Sequence, residues 1–300
     1  MTQAETLEKI MARKPTVTKQ GPELLAKLEK KTLPPKVISI TSGKGGVGKT
    51  NISANLAYSL AKLRKKVLIL DADLNLANID ILLGLTPKYN LHHVLTGEKT
   101  MAEILVEGPA GIHILPASSG IMELADLSED QKLFFIEEME LLGNRIDYLI
   151  IDTAAGINNN VIYFNLAAQE RVIVLTPEPT SLTDAYALIK VLSSRHDIKK
   201  FRILINQTKT EKEALSVFRK LSLVADRFLE TLSLNFMGFI PGDQKLQKAV
   251  RIQRLVSDIY PDAPSSKGFM EISKKIVSEE NERFSDGNIK FFWKGLLELS

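Results

Sequence analysis

A phosphate-binding loop constrains the fold of this 300-residue chain more than any other feature. An apolar, β-branched run at residues 37–42 leads directly into Ser42-Gly43-Lys44-Gly45-Gly46-Val47-Gly48-Lys49-Thr50, which has the spacing of a P-loop. Glycines allow the backbone to wrap so that successive N–H groups point at phosphate oxygens. We expect a helix to begin near Lys49, with Lys49 on the β- and γ-phosphates and Thr50 on Mg²⁺. The loop residues 43–50 and Asn51 are the predicted nucleotide-binding residues.

The rest of the chain predicts the sheet that carries this loop. Short apolar runs alternate with amphipathic helical stretches, which is typical of a doubly wound, mostly parallel α/β sheet covered on both faces. The runs cover residues 37–42, 67–71, 112–116, 148–152, 171–176, 201–206 and 237–241. Ser181 with Asp184 predicts a capping box for the helix that extends to residue 194, and Thr210 is expected to cap the next long helix.

The amino-acid composition excludes several classes of protein for this chain. The chain has no cysteine, which excludes thiolate metal sites and Fe–S clusters. It has no apolar run long enough to span a membrane and no signal-peptide pattern, so we expect it in the cytoplasm. Net charge is only +3, and residues 1–36 contain eight Lys or Arg against four Glu. This density favours a solvated basic arm over a nucleic-acid-binding surface.

Three acidic residues follow predicted strands at the edge where the loop lies. Asp71 and Asp73 stand at i and i+2 after the run 67–71, so their side chains point the same way. Asp152 ends an apolar run and is expected to hold Mg²⁺ through water. The small residues 153–157 that follow suit a switch that senses γ-phosphate. The four histidines lack metal-ligand spacing, so we assign them no chemistry.

The second lysine of the loop, Lys44, points to a family. Residues 44–50 match Lys-Gly-Gly-x-Gly-Lys-Thr, and in this the chain resembles the deviant-Walker P-loop ATPases, MinD and ParA among them. The resemblance implies a slow ATPase that uses ATP and Mg²⁺ and forms a homodimer around ATP. It implies that Lys44 reaches the partner's phosphates, as an arginine finger does.

The same resemblance assigns further residues. Asp73 would orient the attacking water, so the catalytic set would be Lys44, Lys49 and Asp73. Thr50, Asp71 and Asp152 would form the Mg²⁺ site. Adenine would be flanked by Asn206, Pro241 and Asp243, although a turn-forming role for Asp243 is the alternative. Asn75 stands where related sequences often have glycine.

Residues 1–35 read as an N-terminal extension with two short helices. It begins Thr2-Gln3-Ala4-Glu5-Thr6-Leu7-Glu8, similar to the Asp-Gln-Ala-x-x-Leu-Arg pattern of flagellar number regulators of the FlhG/FleN type, with Thr2 and Glu8 as departures. That resemblance implies that Gln3, Ala4 and Leu7 contact a signal-recognition-type GTPase of the flagellum, and that the chain regulates flagellar number or placement.

The C-terminal end predicts an amphipathic helix. After the ATPase domain at residues 36–277 and a linker at 278–288, residues 289–299 place their apolar side chains on an arc of roughly 160°. We expect it to bind membrane on the inner face of the cell through Ile289, Phe292, Trp293, Leu296 and Leu299. One short helix binds only marginally, whereas two helices in a dimer add their binding free energies, so attachment would depend on ATP.

Other functions remain open at this point. A ParA-type partitioning ATPase would need a basic DNA-facing surface. A septum-site MinD would begin essentially at the first strand. The chain could also be a binding module that is controlled by nucleotide but hydrolyses almost none, and therefore not an enzyme. ATP turnover measured with and without lipid and partner would separate this function from that of an ATPase.

Overall fold

The computed structural model describes residues 35–73, 78–116, 129–143, 145–229 and 232–279. The expected N-terminal helices, the C-terminal amphipathic helix and Asn75 lie outside these residues. Among the residues that the structure describes, no helix is long and apolar enough to cross a membrane.

The described residues form one eight-stranded sheet with the order β3-β4-β2-β5-β1-β6-β7-β8. Its strands are β1 Lys36–Ser42, β2 Val67–Ala72, β3 Val106–Glu107, β4 His113–Pro116, β5 Tyr148–Ala155, β6 Glu170–Leu175, β7 Lys200–Thr208 and β8 Ser233–Pro241. Every neighbouring pair is parallel except β3 with β4, which is antiparallel. The predicted doubly wound α/β fold is therefore confirmed, with β1, the strand that leads into the loop, between β5 and β6.

Helices cover both faces of this sheet. They are α1 Lys49–Lys62, α2 Ile79–Leu83, α3 Leu91–Leu95, α4 Met101–Ile104, α5 Glu129–Gly143, α6 Asn159–Ala167, α7 Pro179–His196, α8 Glu211–Phe228, α9 Gln244–Arg251, α10 Val256–Ile259 and α11 Pro264–Ser278. Consecutive strand residues face opposite sides: Val67 and Ile69 pack with α1 and α11, whereas Leu68 and Leu70 pack with α5 and α6. Burial on both faces explains why the strands are almost continuously apolar.

One local prediction is wrong, one strand was missed, and one local prediction is confirmed. The sequence did not indicate β3, a two-residue strand that makes the sheet mixed at this edge. The predicted capping box at Ser181 is wrong, because α7 begins at Pro179 and the Ser181 hydroxyl accepts a hydrogen bond from the Thr176 N–H instead. Thr210 does cap α8, since its hydroxyl accepts from the Glu213 N–H.

Candidate nucleotide site

The loop between β1 and α1 requires glycine at two positions because of its close packing. Gly48 has φ +93°, and a Cβ there would lie 2.6 Å from the side-chain nitrogen of Asn206. A Cβ on Gly43 would lie 2.1 Å from the backbone oxygen of Asp184 in α7. Residues of β7 and α7 therefore pack against one side of the loop. The backbone N–H groups of the loop and the N-terminus of α1 are on the side where phosphates would bind.

Lys49 is the lysine that belongs to the interior of the loop. It is the first residue of α1 and is buried, and its ammonium donates to the Ser42 hydroxyl at 2.9 Å. Burial lowers the pKa of Lys49, while Asp152 and Asp73 act in the opposite direction. A buried cation beside two carboxylates is suited to hold phosphate oxygens.

Asp71 and Asp152 end neighbouring strands and form an acidic pair beside the loop. They are paired in register between β2 and β5, and both are buried. Burial and the nearby Asp152 raise the pKa of Asp71 to about 7. Burial, with a smaller contribution from Asp73, raises the pKa of Asp152 to about 6, although hydrogen bonds from Thr50 and Ser53 and the charge of Lys49 oppose this.

The Asp71 carboxylate also organises the segment that follows β2. It accepts backbone N–H groups from Asp73 at 3.3 Å, Asn78 at 3.0 Å and Ile79 at 3.2 Å. These bonds join the end of β2 to the start of α2. Asp71 therefore positions the backbone of Asp73, the residue that was predicted to orient water.

Lys44 behaves differently from Lys49. Its ammonium donates to the Glu178 carboxylate and, at 2.9 Å, to the Thr180 hydroxyl, both at the start of α7. The Lys44 side chain is 33 % exposed and that of Glu178 is 59 % exposed. The two lysines of the loop are thus separated, with Lys49 inside and Lys44 at the exposed rim.

The residues expected near adenine lie where β7 and β8 end. The Asn206 side chain donates to the Val47 backbone oxygen at 2.7 Å, so it fixes the back of the loop. Asp243 caps α9, because its carboxylate accepts from the Lys245 N–H at 2.8 Å. The same carboxylate accepts two hydrogen bonds from Ser265. Asp243 therefore caps a helix and holds Ser265. The adenine contacts of Asn206, Pro241 and Asp243 and the turn-forming alternative for Asp243 remain predictions.

Sequence reasoning missed four residues that support the site. Ser42 accepts a hydrogen bond from Lys49, and Ser53 donates one to Asp152. Glu178 and Thr180 both accept hydrogen bonds from Lys44. Ser42 lies inside the motif and could have been found from its position before the lysine. The other three carry no motif of their own. In addition, the part of the chain that the structure describes contains no group of three or more His, Asp or Glu residues that could hold a metal ion by themselves.

These parts fit a magnesium–nucleotide complex. A divalent cation would stabilise the two neighbouring carboxylates, whose pKa values are raised, and the Thr50 side chain hydrogen-bonds to one of them, Asp152. The buried Lys49 and the N-terminus of α1 supply positive charge for phosphates. A parallel sheet with this loop at its carboxyl edge defines the class of P-loop nucleoside triphosphatases.

Comparison with known proteins narrows this class. The AAA domain family AAA_31 matches residues 35–205. The antiactivator FleN of Pseudomonas aeruginosa is 43% identical over 88% of this chain and 94% of its own length. The flagellum site-determining protein YlxH of Helicobacter pylori is 37% identical over 88% and 90%. The MinD cell division protein of Aquifex aeolicus superposes with a TM-score of 0.63 at 30% identity, covering 81% of this chain and 97% of that one. The chain belongs to the MinD/ParA-type P-loop ATPases, within the group that contains FleN and YlxH.

Proposed function

We propose that this chain is a slow ATPase that forms a homodimer around ATP, attaches to the inner face of the membrane in that state, and regulates flagellar number or placement. The flagellar role rests on the similarity to FleN and YlxH, whose names describe an antiactivator and a flagellum site-determining protein. It also rests on the N-terminal Gln-Ala-x-x-Leu core, through which the chain would act on the flagellar signal-recognition-type GTPase.

One observation carries the dimer proposal: the loop holds two lysines in two different environments. Lys49 is buried within its own phosphate loop, whereas Lys44 lies at the exposed rim with Glu178 and Thr180. A rim lysine is available to a second copy that faces the same edge. When Lys44 moves from Glu178 to the triphosphate bound by the second copy, its ammonium exchanges a carboxylate for a more highly charged anion.

Each residue of the site then has a separate role in hydrolysis. Lys49 and the loop N–H groups bind and orient the triphosphate, and Thr50, Asp71 and Asp152 would hold Mg²⁺. The magnesium ion, when bound, neutralises phosphate charge as it develops. Asp73 orients the attacking water, and Lys44 from the partner stabilises the transition state. Hydrolysis is slow because both Lys44 side chains are placed only in the dimer.

Light scattering with ATP and ADP tests the dimer. We expect a dimer in ATP and a monomer in ADP, an ATP-trapped dimer for Asp73→Ala, and a monomer in both nucleotides for Lys44→Ala. Asp262→Ala is the control, since its side chain is 92 % exposed and its ion pair, at 3.9 Å, is with Lys267. A monomeric Asp73→Ala protein in ATP would contradict the assignment.

Two further experiments test attachment and partner. Sedimentation with vesicles should show binding in ATP and much less in ADP, and equal binding in both would exclude an ATP-controlled anchor. A pull-down of the flagellar GTPase should succeed with the full chain and fail when residues 1–20 are removed. Retention of the GTPase by the shortened chain would move the partner site elsewhere.

A further inference from the structure

Two large apolar side chains are exposed on one side of α5. Phe134 is 43 % exposed and Leu141 is 57 % exposed. They are separated by about two helical turns, so both lie on the same face of the helix. Another face of α5 already packs on the sheet, through Phe135, Met139 and Leu142. Phe134 and Leu141, which we call the α5 outer patch, are therefore not required for the packing of α5.

The α5 outer patch is bordered by negative charge. Glu137 lies between its two members on the same side of the helix and is exposed. Residues 129–143 contain five acidic residues against one lysine. Apolar anchors at i and i+7 with charged residues beside them are the pattern by which one amphipathic helix packs on another. The patch therefore fits a short amphipathic helix of positive charge.

The chain enters the domain next to this patch. Lys36, the first residue of β1, donates its N–H to the Asp147 backbone oxygen at 2.8 Å, just before β5 begins. The turn from α5 to β5 is short, since the Arg145 N–H donates to the Leu142 backbone oxygen at 3.0 Å. Val37 packs in the same apolar cluster as Leu142. The start of β1 and the end of α5 thus lie together on one face of the sheet.

The residues before β1 have the composition that the patch requires. Residues 1–34 contain seven Lys or Arg against four Glu. Within them, residues 23–31 are predicted to form a helix, with Leu24, Leu25 and Leu28 on one side of it. So short a segment does not form a stable helix without a surface to pack against. The few residues that connect it to β1 span at most about 14 Å, which keeps the three leucines near the end of α5.

We propose that residues 23–31 dock on the α5 outer patch of their own chain, with the three leucines against Phe134 and Leu141. The docked segment then holds residues 1–20, which carry the predicted contacts to the flagellar GTPase, at the amino ends of the strands. The nucleotide loop follows β1 at the opposite, carboxyl ends. The docked segment and a second copy facing the nucleotide loop therefore occupy different parts of the protomer.

Limited trypsin digestion of the full chain, without ATP, lipid or partner, tests this contact. Trypsin cuts the undocked segment, so the cleavage rate follows the undocked population. Covering two half-exposed apolar side chains lowers that population by at least about tenfold. We expect cleavage after Lys27 and Lys30 to be at least about tenfold slower than cleavage after Arg13 and Lys19, as followed by mass spectrometry.

A matched pair of variants identifies the surface. The patch variant, Phe134→Gln/Leu141→Gln, should remove the protection of the segment 23–31. The control, Leu223→Gln/Ile252→Gln, changes two side chains that are 69 % and 60 % exposed in other parts of the domain, and it should keep the protection. Circular dichroism checks that both variants are folded.

A third variant makes the same test from the side of the segment. Leu24→Gln/Leu28→Gln leaves the domain unchanged and should lose the protection as the patch variant does. Loss in these two variants but not in the control supports the proposal. Protection that is absent in wild type, survives the patch variant or is lost equally in the control overturns it.

Two other occupants of the patch would be detected in the same digest. Protection of Lys290 and Lys294 that disappears in the patch variant would assign the patch to the C-terminal segment. Protection of residues 23–31 that rises with protein concentration would assign it to a second copy. Either result overturns the proposal. Because the digest contains no ATP, lipid or partner, the proposed dimer, membrane attachment and flagellar role stand or fall by their own experiments.

Discussion

Replacing Asp71 with asparagine should stabilise the nucleotide-free protein at high pH. Asp71 is buried beside Asp152, and its pKa is raised from 3.8 to about 7. An acid whose pKa is higher in the folded state favours folding when protonated. That contribution is therefore present below pH 4 and is lost as pH rises through about 7. Asparagine cannot ionise, so the variant does not suffer this loss.

The magnitude follows from the pKa shift and the hydrogen bonds. A pKa raised from 3.8 to about 7 corresponds to about 4 kcal/mol of lost stability at pH 8. Against this, the carboxylate accepts N–H groups from Asp73, Asn78 and Ile79, and an amide oxygen can keep only the last two. The lost hydrogen bond costs about 1–2 kcal/mol. We expect Asp71→Asn to be about 2 kcal/mol more stable than wild type at pH 8 and less stable than wild type near pH 4.

Urea denaturation in EDTA from pH 4 to pH 8 measures this difference. Asp262→Asn is the control, since it makes the same chemical change on a side chain that is 92 % exposed. A stability difference that does not grow with pH, or an Asp71→Asn protein less stable than wild type at pH 8, would refute the reasoning. With Mg²⁺ and ATP added, wild type should become the more stable protein, because Asp71→Asn has lost the carboxylate charge that is predicted to hold Mg²⁺.

Three other predictions test single contacts. Gly48→Ala should destabilise the fold by about 1–3 kcal/mol more than Gly97→Ala, because both have positive φ but only Gly48 faces Asn206 at 2.6 Å; urea midpoints compare them. Ser53→Ala removes a 2.9 Å hydrogen bond that lowers the pKa of Asp152, so the pH midpoint for Mg–ATP binding should move upward in a fluorescence titration. Arg202→Met removes one of the two cations that pair with buried Glu170 and should cost about 2–3 kcal/mol by chemical denaturation. The double variant with Glu170→Met should recover most of this loss.

Local patterns were enough to predict the sheet and the loop. Buried parallel strands are short and apolar, so each of the seven predicted runs lies on an observed strand, with ends shifted by a few residues. The β3 strand was missed because two residues carry no periodicity. The Ser181 pattern failed for a different reason: Pro179 is pre-organised for the first helical turn, so α7 begins before the serine.

Non-local contacts could not be predicted from the sequence. Lys44 meets Glu178 across 134 residues, and Ser53 meets Asp152 across 99. Such pairs are created by the strand order, which places β1 between β5 and β6. Even for Asp71, the sequence predicted a metal ligand but not that its carboxylate also holds the backbone of residues 73, 78 and 79.

Mixing two inactive variants tests most directly whether Lys44 completes the neighbouring site. In a mixed dimer, the Asp73→Ala protomer supplies Lys44 to the Lys44→Ala protomer, whose own Asp73 is intact. The two variants are mixed before ATP is added, because the Lys44→Ala protein does not pair with itself and the Asp73→Ala dimer is trapped once ATP binds. Each mixed dimer has one complete site of two, so ATPase activity should rise well above the sum of the separate variants, to at most about half of wild type. If Lys44 serves its own protomer, the mixture would be as inactive as its components, and the account of a shared site would be wrong.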